Sequence, residues 1–220
     1  SAIGLFVAGA AHELNNPLTS VLGYAQLLAR KHQDPALKAD LERIGEGAAR
    51  CKTIVDNLMS FARAHRPRKI MLDFNMLLTE AVASCRDRLA GHSVAVELEL
   101  AGDLPQSLAD PEQIHQAFLT VLDNAIRAMG DHAGERVLKV VSRVERGRIM
   151  VEIHDTGPGI PAEILGKIFE PFFTTRSVGQ GAGLGLSVAY GMVTSHAGRI
   201  SAPNRPEGGA TILLELPILN

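Results

Sequence analysis

The N-terminal part of the chain repeats its apolar positions at alternating steps of four and three. Val7, Ala11, Leu14, Leu18, Val21, Ala25 and Leu28 form one series. After KHQDPA it resumes as Leu37, Leu41, Ile44, Ala48, Cys51, Val55, Leu58 and Ala62. Such spacing is a heptad seam and predicts two long helices. Asp34-Pro35 marks the start of the second, since proline suits a first helical turn. A short break between long helices makes an antiparallel hairpin. One hairpin does not cover both of its seams. Either a second copy completes a four-helix bundle, or the hairpin packs on the rest of the chain.

The texture changes at HRPRK, residues 65–69, where proline and basic residues mark a linker. The expected domains are therefore 1–66, the helical hairpin, and 67–220. In the second part, alternating or continuous apolar runs predict strands at SVAVELEL, RVLKVVSRV, RIMVEIHD and ATILLEL. Helical patterns lie between them, at FNMLLTEAVASCRDRLA, PEQIHQAFLTVLDNAIRAM and GLSVAYGMVTSHA. Arg146-Gly147 reads as a hairpin turn. The expected class is α+β: a helical hairpin, then an α/β sandwich with helices on one face of a mixed sheet.

Composition narrows the function classes. The chain has 220 residues, 46% of them hydrophobic and 21% charged, as in a folded soluble protein. A net charge of −2 gives no electrostatic case for nucleic acid as partner. Cys51 and Cys85 are far apart with no C-x-x-C pair, which argues against a disulfide scaffold or structural zinc and fits a reducing cytoplasm. No apolar run approaches the roughly 20 residues of a membrane span. The opening SAIGLFVAGAAHEL lacks the basic start of a signal peptide and begins without a helix cap, so the chain reads as a piece of a longer protein.

Four short stretches carry candidate chemistry. In AHELNNPLTS, His12 and Glu13 begin as a zinc protease helix does, but the second-histidine position holds Asn16, and Pro17 follows at once. In DTGPGI, Asp155 ends a strand, where it can accept a hydrogen bond from a ligand amine, and Gly157 and Gly159 permit close backbone approach; the same letters also make a turn. VGQGAGLGL feeds a helix with Gly181, Gly183 and Gly185; such a loop presents N–H groups to phosphate, or is merely flexible. It is neither a P-loop nor a dinucleotide fingerprint. In LDNAIRAM, Asn124 and Arg127 share a helix face. An amide oxygen ligates Mg²⁺ and a cation neutralises phosphate, though both residues also suit an ordinary surface.

Taken in order, HELNNPL, LDNAIRAM, DTGPGI, IFEPFFTT and GAGLGL resemble the H, N, first glycine, F and second glycine boxes of the sensor histidine kinase core. The resemblance covers nearly the whole chain, and HELNNPL with FFTT is similar to the nitrogen-regulator and PAS-linked type. It implies a dimerising phosphotransfer hairpin and an ATP-binding sandwich of the kind shared with gyrase and Hsp90. His12 would then be the phosphorylated residue, Glu13 the acidic neighbour that takes its ring proton, and Asn16 a group that orients water for dephosphorylating a response regulator. Asp155 would accept the adenine amine, with Gly157 and Gly159 shaping that wall and Thr211 near it. Asn124 would bind Mg²⁺ and Arg127 reach phosphate. Gly181, Gly183 and Gly185 would cradle the phosphates of ATP, with Leu184 and Leu186 packed beneath. Phe169, Phe172 and Phe173 would anchor a lid over 174–181, and a hinge would lie near 65–68.

The resemblance implies a homodimer whose partner is the receiver domain of a response regulator, located in the cytoplasm. One position departs from the family pattern: Thr120 stands where the N box begins with asparagine. Either its hydroxyl replaces the amide, or the site leans on Asn124 and water. Two other readings compete. A gyrase- or Hsp90-type ATPase needs a catalytic glutamate in the N-box helix, where the sequence offers Asp123. A zinc hydrolase needs a second histidine. The remaining histidines lack ligand spacing and are read as surface or structural, His196 included.

Overall fold

The computed structural model describes residues 2–32, 34–62, 68–130, 134–175, 183–203 and 208–219, with the side chains of 2–12, 53–54 and 56–62 outside that description. The chain divides into two compact units, Ser1–His65 with Thr174–Leu184, and Arg66–Phe173 with Gly185–Asn220.

In the first unit, α1 (Ala2–Lys31) and α2 (Pro35–Ala62) pack along their length. Asp34 starts α2 by accepting the Ala36 amide at 3.0 Å. The heptad seam splits in two. Ala25, Leu41, Ala48 and Val55 are buried inside the hairpin. Leu14, Val21, Leu28, Leu37 and Ile44 stay exposed, and Tyr24 and Leu27 join them. An apolar groove follows this stripe, lined by Val21, Tyr24, Leu28 and Ile44. Helix α1 continues through Pro17, and the Thr19 and Ser20 hydroxyls bond back to the Asn15 and Asn16 carbonyls.

The second unit is a mixed sheet with helices on one face. Its strands are β1 (Ile70–Leu72), β2 (Ala95–Leu100), β3 (Ser107–Ala109), β4 (Val137–Glu145), β5 (Arg148–Asp155), β6 (Arg199–Ser201) and β7 (Ala210–Pro217). Its helices are α3 (Phe74–Ser84), α4 (Arg86–Gly91), α5 (Pro111–Gly130) and α6 (Gly185–Ser195). The main sheet runs β2-β4-β5-β7-β6, with β2 and β4 parallel and the other pairs antiparallel. Alternation sends Leu138 and Val140, Ile149, Val151 and Ile153, and Ile212, Leu214 and Leu216 to the helical face. Helix α5 meets them with Phe118, Leu122, Ile126 and Met129, all fully buried. Each such side chain contributes about 1.5–3 kcal/mol of burial. On the opposite face the same strands carry ion pairs, among them Lys139–Glu99, Arg148–Glu215 and Arg143–Glu152.

The structure departs from the sequence expectation in two places. The helix expected from Phe74 to Ala90 breaks at Cys85, where the backbone leaves helical geometry (ψ 0°). The strands β1, β3 and β6 have three residues each, too few for a period to show. β1 and β3 form a separate antiparallel pair. The C-terminal segment lies along β3, with the Leu108 amide donating to the Leu219 carbonyl and the Ser107 hydroxyl to that of Pro217.

His196, just after α6, is almost wholly buried. Its Nε2 accepts the Asp110 amide at 2.9 Å, and Nδ1 lies 2.8 Å from the Met192 carbonyl, so the ring is neutral with its proton on Nδ1. Burial pushes its pKa below the ordinary 6.5, helped by the Lys69 charge and opposed by the Met192 bond and Asp110. The folded state therefore binds fewer protons than the unfolded state below that value. The stability from this residue is full above it and is lost as pH falls toward the lowered pKa. Each tenfold difference in proton affinity between the two states is worth about 1.4 kcal/mol. Urea unfolding of wild type and His196→Gln is expected to show a stability gap that narrows from about pH 7 to about pH 5.

Candidate functional site

Strand β5 delivers Asp155 to its end, on the helical face and almost wholly buried. Two backbone amides hold its Oδ1, Gly157 at 2.9 Å and Ala210 at 3.3 Å. Both bonds fix the orientation of the carboxylate. The turn that follows is closely packed. A Cβ at Gly157 would stand 2.9 Å from Asp155 Oδ1 and 3.2 Å from the Ala128 carbonyl oxygen of α5. Gly159 takes a left-handed φ of 76°. Beside Asp155, the Thr156 hydroxyl accepts the Val137 amide at 3.0 Å and so ties the turn to the start of β4.

Helix α5 brings the other expected residues alongside. Thr120, Asn124 and Ala128 are four apart and stack on one face. Thr120 meets the start of α6, where a Cβ on Gly185 would lie 3.2 Å from its methyl group. Ala128 meets the glycine turn through its carbonyl. Asn124 lies between, half-buried, with Arg127 exposed one turn beyond Asp123. The Thr120 hydroxyl donates to the Gln116 carbonyl at 2.8 Å within its own helix, while its methyl faces Gly185. Asp123 is also engaged: Arg88 Nη1 lies 3.1 Å from both its carboxylate oxygens.

The glycine-rich loop is described only in part. Gly181 and most of the expected lid lie outside the described residues. Gly183 has φ 67°, Leu184 is buried, and Gly185 begins α6. In the F box, Phe169 packs on Tyr190 of α6 with ring centres 5.8 Å apart. Phe172 is 67% exposed, at φ 67°, and most of the lid it was expected to anchor lies outside the described residues.

Thr211 stands on the other face of the sheet from Asp155. The register pairs Asp155 with Ala210 and His154 with Thr211. Side chains alternate, so Thr211 faces away from Asp155, and its hydroxyl lies 2.7 Å from His154 Nδ1. His154 in turn contacts Glu152 at 3.0 Å. Ala210 and Gly209 occupy the place expected for Thr211. Sequence reading missed Gly209, although the Gly-Gly pair before ATILLEL signals a special backbone. It has φ 77°, and a Cβ there would fall 1.9 Å from the Asp155 carbonyl oxygen.

On the hairpin, His12 lies within α1, but its side chain is outside the described residues. Glu13 and Asn16 follow on the same helix, both exposed. Among the described residues, no three His, Cys, Asp or Glu side chains gather as a metal site, and no helix is long and apolar enough to cross a membrane.

Two sequence families match this arrangement. Residues 109–220 match the histidine kinase-, DNA gyrase B-, and HSP90-like ATPases, and residues 2–67 match the His Kinase A (phospho-acceptor) domain. The chain belongs to the histidine kinases. This histidine kinase core is 34% identical to the sensor kinase CckA of Brucella abortus (strain 2308), over 99% of this chain and 24% of that protein. It is 32% identical to the sensory histidine kinase/phosphatase NtrB of Vibrio alginolyticus, over 99% of this chain and 63% of that protein. Among solved structures it is similar to the histidine kinase ThkA in complex with the response regulator protein TrrA. The TM-score is 0.70 at 28% identity, over 98% of this chain and 61% of that one. The chain thus spans less than two thirds of the length of these relatives.

The packing around Asp155 in this histidine kinase core gives a direct test. Gly209→Ala is expected to cost about 3 kcal/mol or more, because the added methyl collides with backbone at a left-handed φ. Urea unfolding measures it. A loss below about 1 kcal/mol would contradict the close approach.

Proposed function

We propose that this histidine kinase core binds ATP, autophosphorylates on His12 and passes the group to an aspartate of a response-regulator receiver domain. The observation that carries the reading is the α5 face on which Asn124 stands between the Gly185 helix start and the Asp155 turn. Residues 1–66 form the phosphotransfer domain and 67–220 the nucleotide domain. Asp155 accepts the exocyclic amine of adenine against the wall shaped by Gly157 and Gly159. Arg127 reaches phosphate. The segment from Gly181 to Gly185 gives its N–H groups to the phosphates, with Leu184 beneath. Asn124 is the residue suited to Mg²⁺, a hard cation that takes amide oxygens and, when bound, neutralises phosphate charge.

A ring nitrogen of neutral His12 attacks the γ-phosphorus. A P–N bond forms as the bond to the β,γ-bridging oxygen breaks, and ADP leaves. Glu13 takes the proton from the other ring nitrogen. In the second step the receiver carboxylate attacks phosphorus, the P–N bond breaks, Glu13 returns the proton to the ring, and neutral His12 is restored. Asn16 orients water for removing phosphate from the receiver. That fits the 32% identity to a kinase/phosphatase, NtrB, and a core of nitrogen-regulator type in the cytoplasm. A gyrase- or HSP90-type ATPase is disfavoured, because residues 2–67 match the phospho-acceptor domain of histidine kinases.

We also propose that two copies pair through the exposed stripe of Val21, Tyr24, Leu28 and Ile44, completing a four-helix bundle. Ile44→Glu is expected to halve the mass seen in sedimentation. An unchanged dimer would remove this face from the interface.

With γ-labelled ATP, wild type is expected to take up acid-labile, base-stable label. His12→Gln should lose the label and still bind an ATP analogue, whereas Asp155→Asn should lose both. Equal labelling of His12→Gln, or fast ATP hydrolysis with no phosphoprotein, would overturn the kinase reading.

A further inference from the structure

Asp110 and His196 lie at the ends of α5 and α6 remote from Asn124 and Gly185, and four elements meet on them. The Asp110 carboxylate accepts two amides. Oδ1 takes that of Gln113 at 3.1 Å and so caps α5. Oδ2 takes that of Arg68 at 2.7 Å, in the segment that leads out of α2 toward β1. The Asp110 amide in turn donates to His196 Nε2, and His196 Nδ1–H donates to Met192 in the last turn of α6. Asp110 directly follows β3, whose Ala109 pairs with Ile70 of β1. A cap needs only the Gln113 contact. The second carboxylate oxygen and a buried imidazole go beyond it, and they join the incoming chain to both helices that border Asn124.

We propose that Asp110 and His196 are positioning residues that couple the linker at Arg68 to the nucleotide site through α5 and α6. This rests on the kinase reading above. Both helices are continuous and packed on each other, so a shift at one end is passed to the other. A ligand that closes on Asn124, Gly185 and the Asp155 turn changes how Asp110 presents its carboxylate to Arg68. By linkage, the linker's position changes how the ligand is held. Neither residue touches nucleotide.

Asp110→Asn isolates the contact, since its one amide oxygen still caps Gln113 and leaves an NH₂ facing the Arg68 amide. Arg68→Pro removes the same donor from the other side. In wild type, hydrogen exchange at the Arg68 amide is expected to slow when a non-hydrolysable ATP analogue binds, and Asp110→Asn is expected to lose that response. Both variants should hold the analogue within about twofold of wild type and autophosphorylate about fivefold or more slowly at saturating ATP. The coupling is overturned if the analogue leaves Arg68 exchange unchanged in wild type. It is also overturned if both variants autophosphorylate within about twofold of wild type, or if binding and rate fall together with the folded fraction. A wild type that never labels on His12 defeats the kinase reading instead, and the exchange response decides the coupling without it.

Discussion

The nucleotide-type domain depends on one carboxylate oxygen. Asp155 Oδ1 holds the amide of the turn that follows its own strand and the amide that opens the neighbouring strand β7. Those two bonds set where both chain segments stop being sheet. They also explain two glycines, because neither Gly157 nor Gly209 has room for a methyl group beside Asp155. The acid is thus structural before it is anything else. A group held this firmly by backbone is pre-oriented for a ligand, and no side chain has to be ordered when the ligand arrives.

Much of this was legible in the sequence for a simple reason. The long helices and strands carry enough repeats for their period to show. Helix α5 appears with the bounds its apolar face suggests, and β4, β5 and β7 follow from alternation. Asp155, Gly157, Asn124 and Gly185 were legible because each sits at the end of, or within, such an element. The failures have physical causes. β1, β3 and β6 are shorter than a readable period. Thr211 was placed by its letter, while its face is fixed by a register set at Asp155; one residue along a strand turns a side chain to the other side. The Thr120 hydroxyl bond to Gln116 within the same helix was not readable from the sequence. Asp110 gave no signal, and His196, read as surface or structural, gave none of its contacts. Asp110 meets Arg68 across 42 residues and His196 across 86, and backbone amides make both contacts.

The heptads tell a related story about faces. The repeat marks every position that needs covering and does not say by what. Four positions of the readable seam, Ala25, Leu41, Ala48 and Val55, are satisfied inside the hairpin, and more of them face outward. The sheet shows the opposite solution. Its outward face is closed by paired charges, with Arg143 and His154 both on Glu152.

Strand β3 is only three residues long, yet the incoming strand β1 and the outgoing segment around Leu219 both bond to it. Those three residues therefore hold two segments far apart in sequence beside each other, so a shift in one is felt at once by the other.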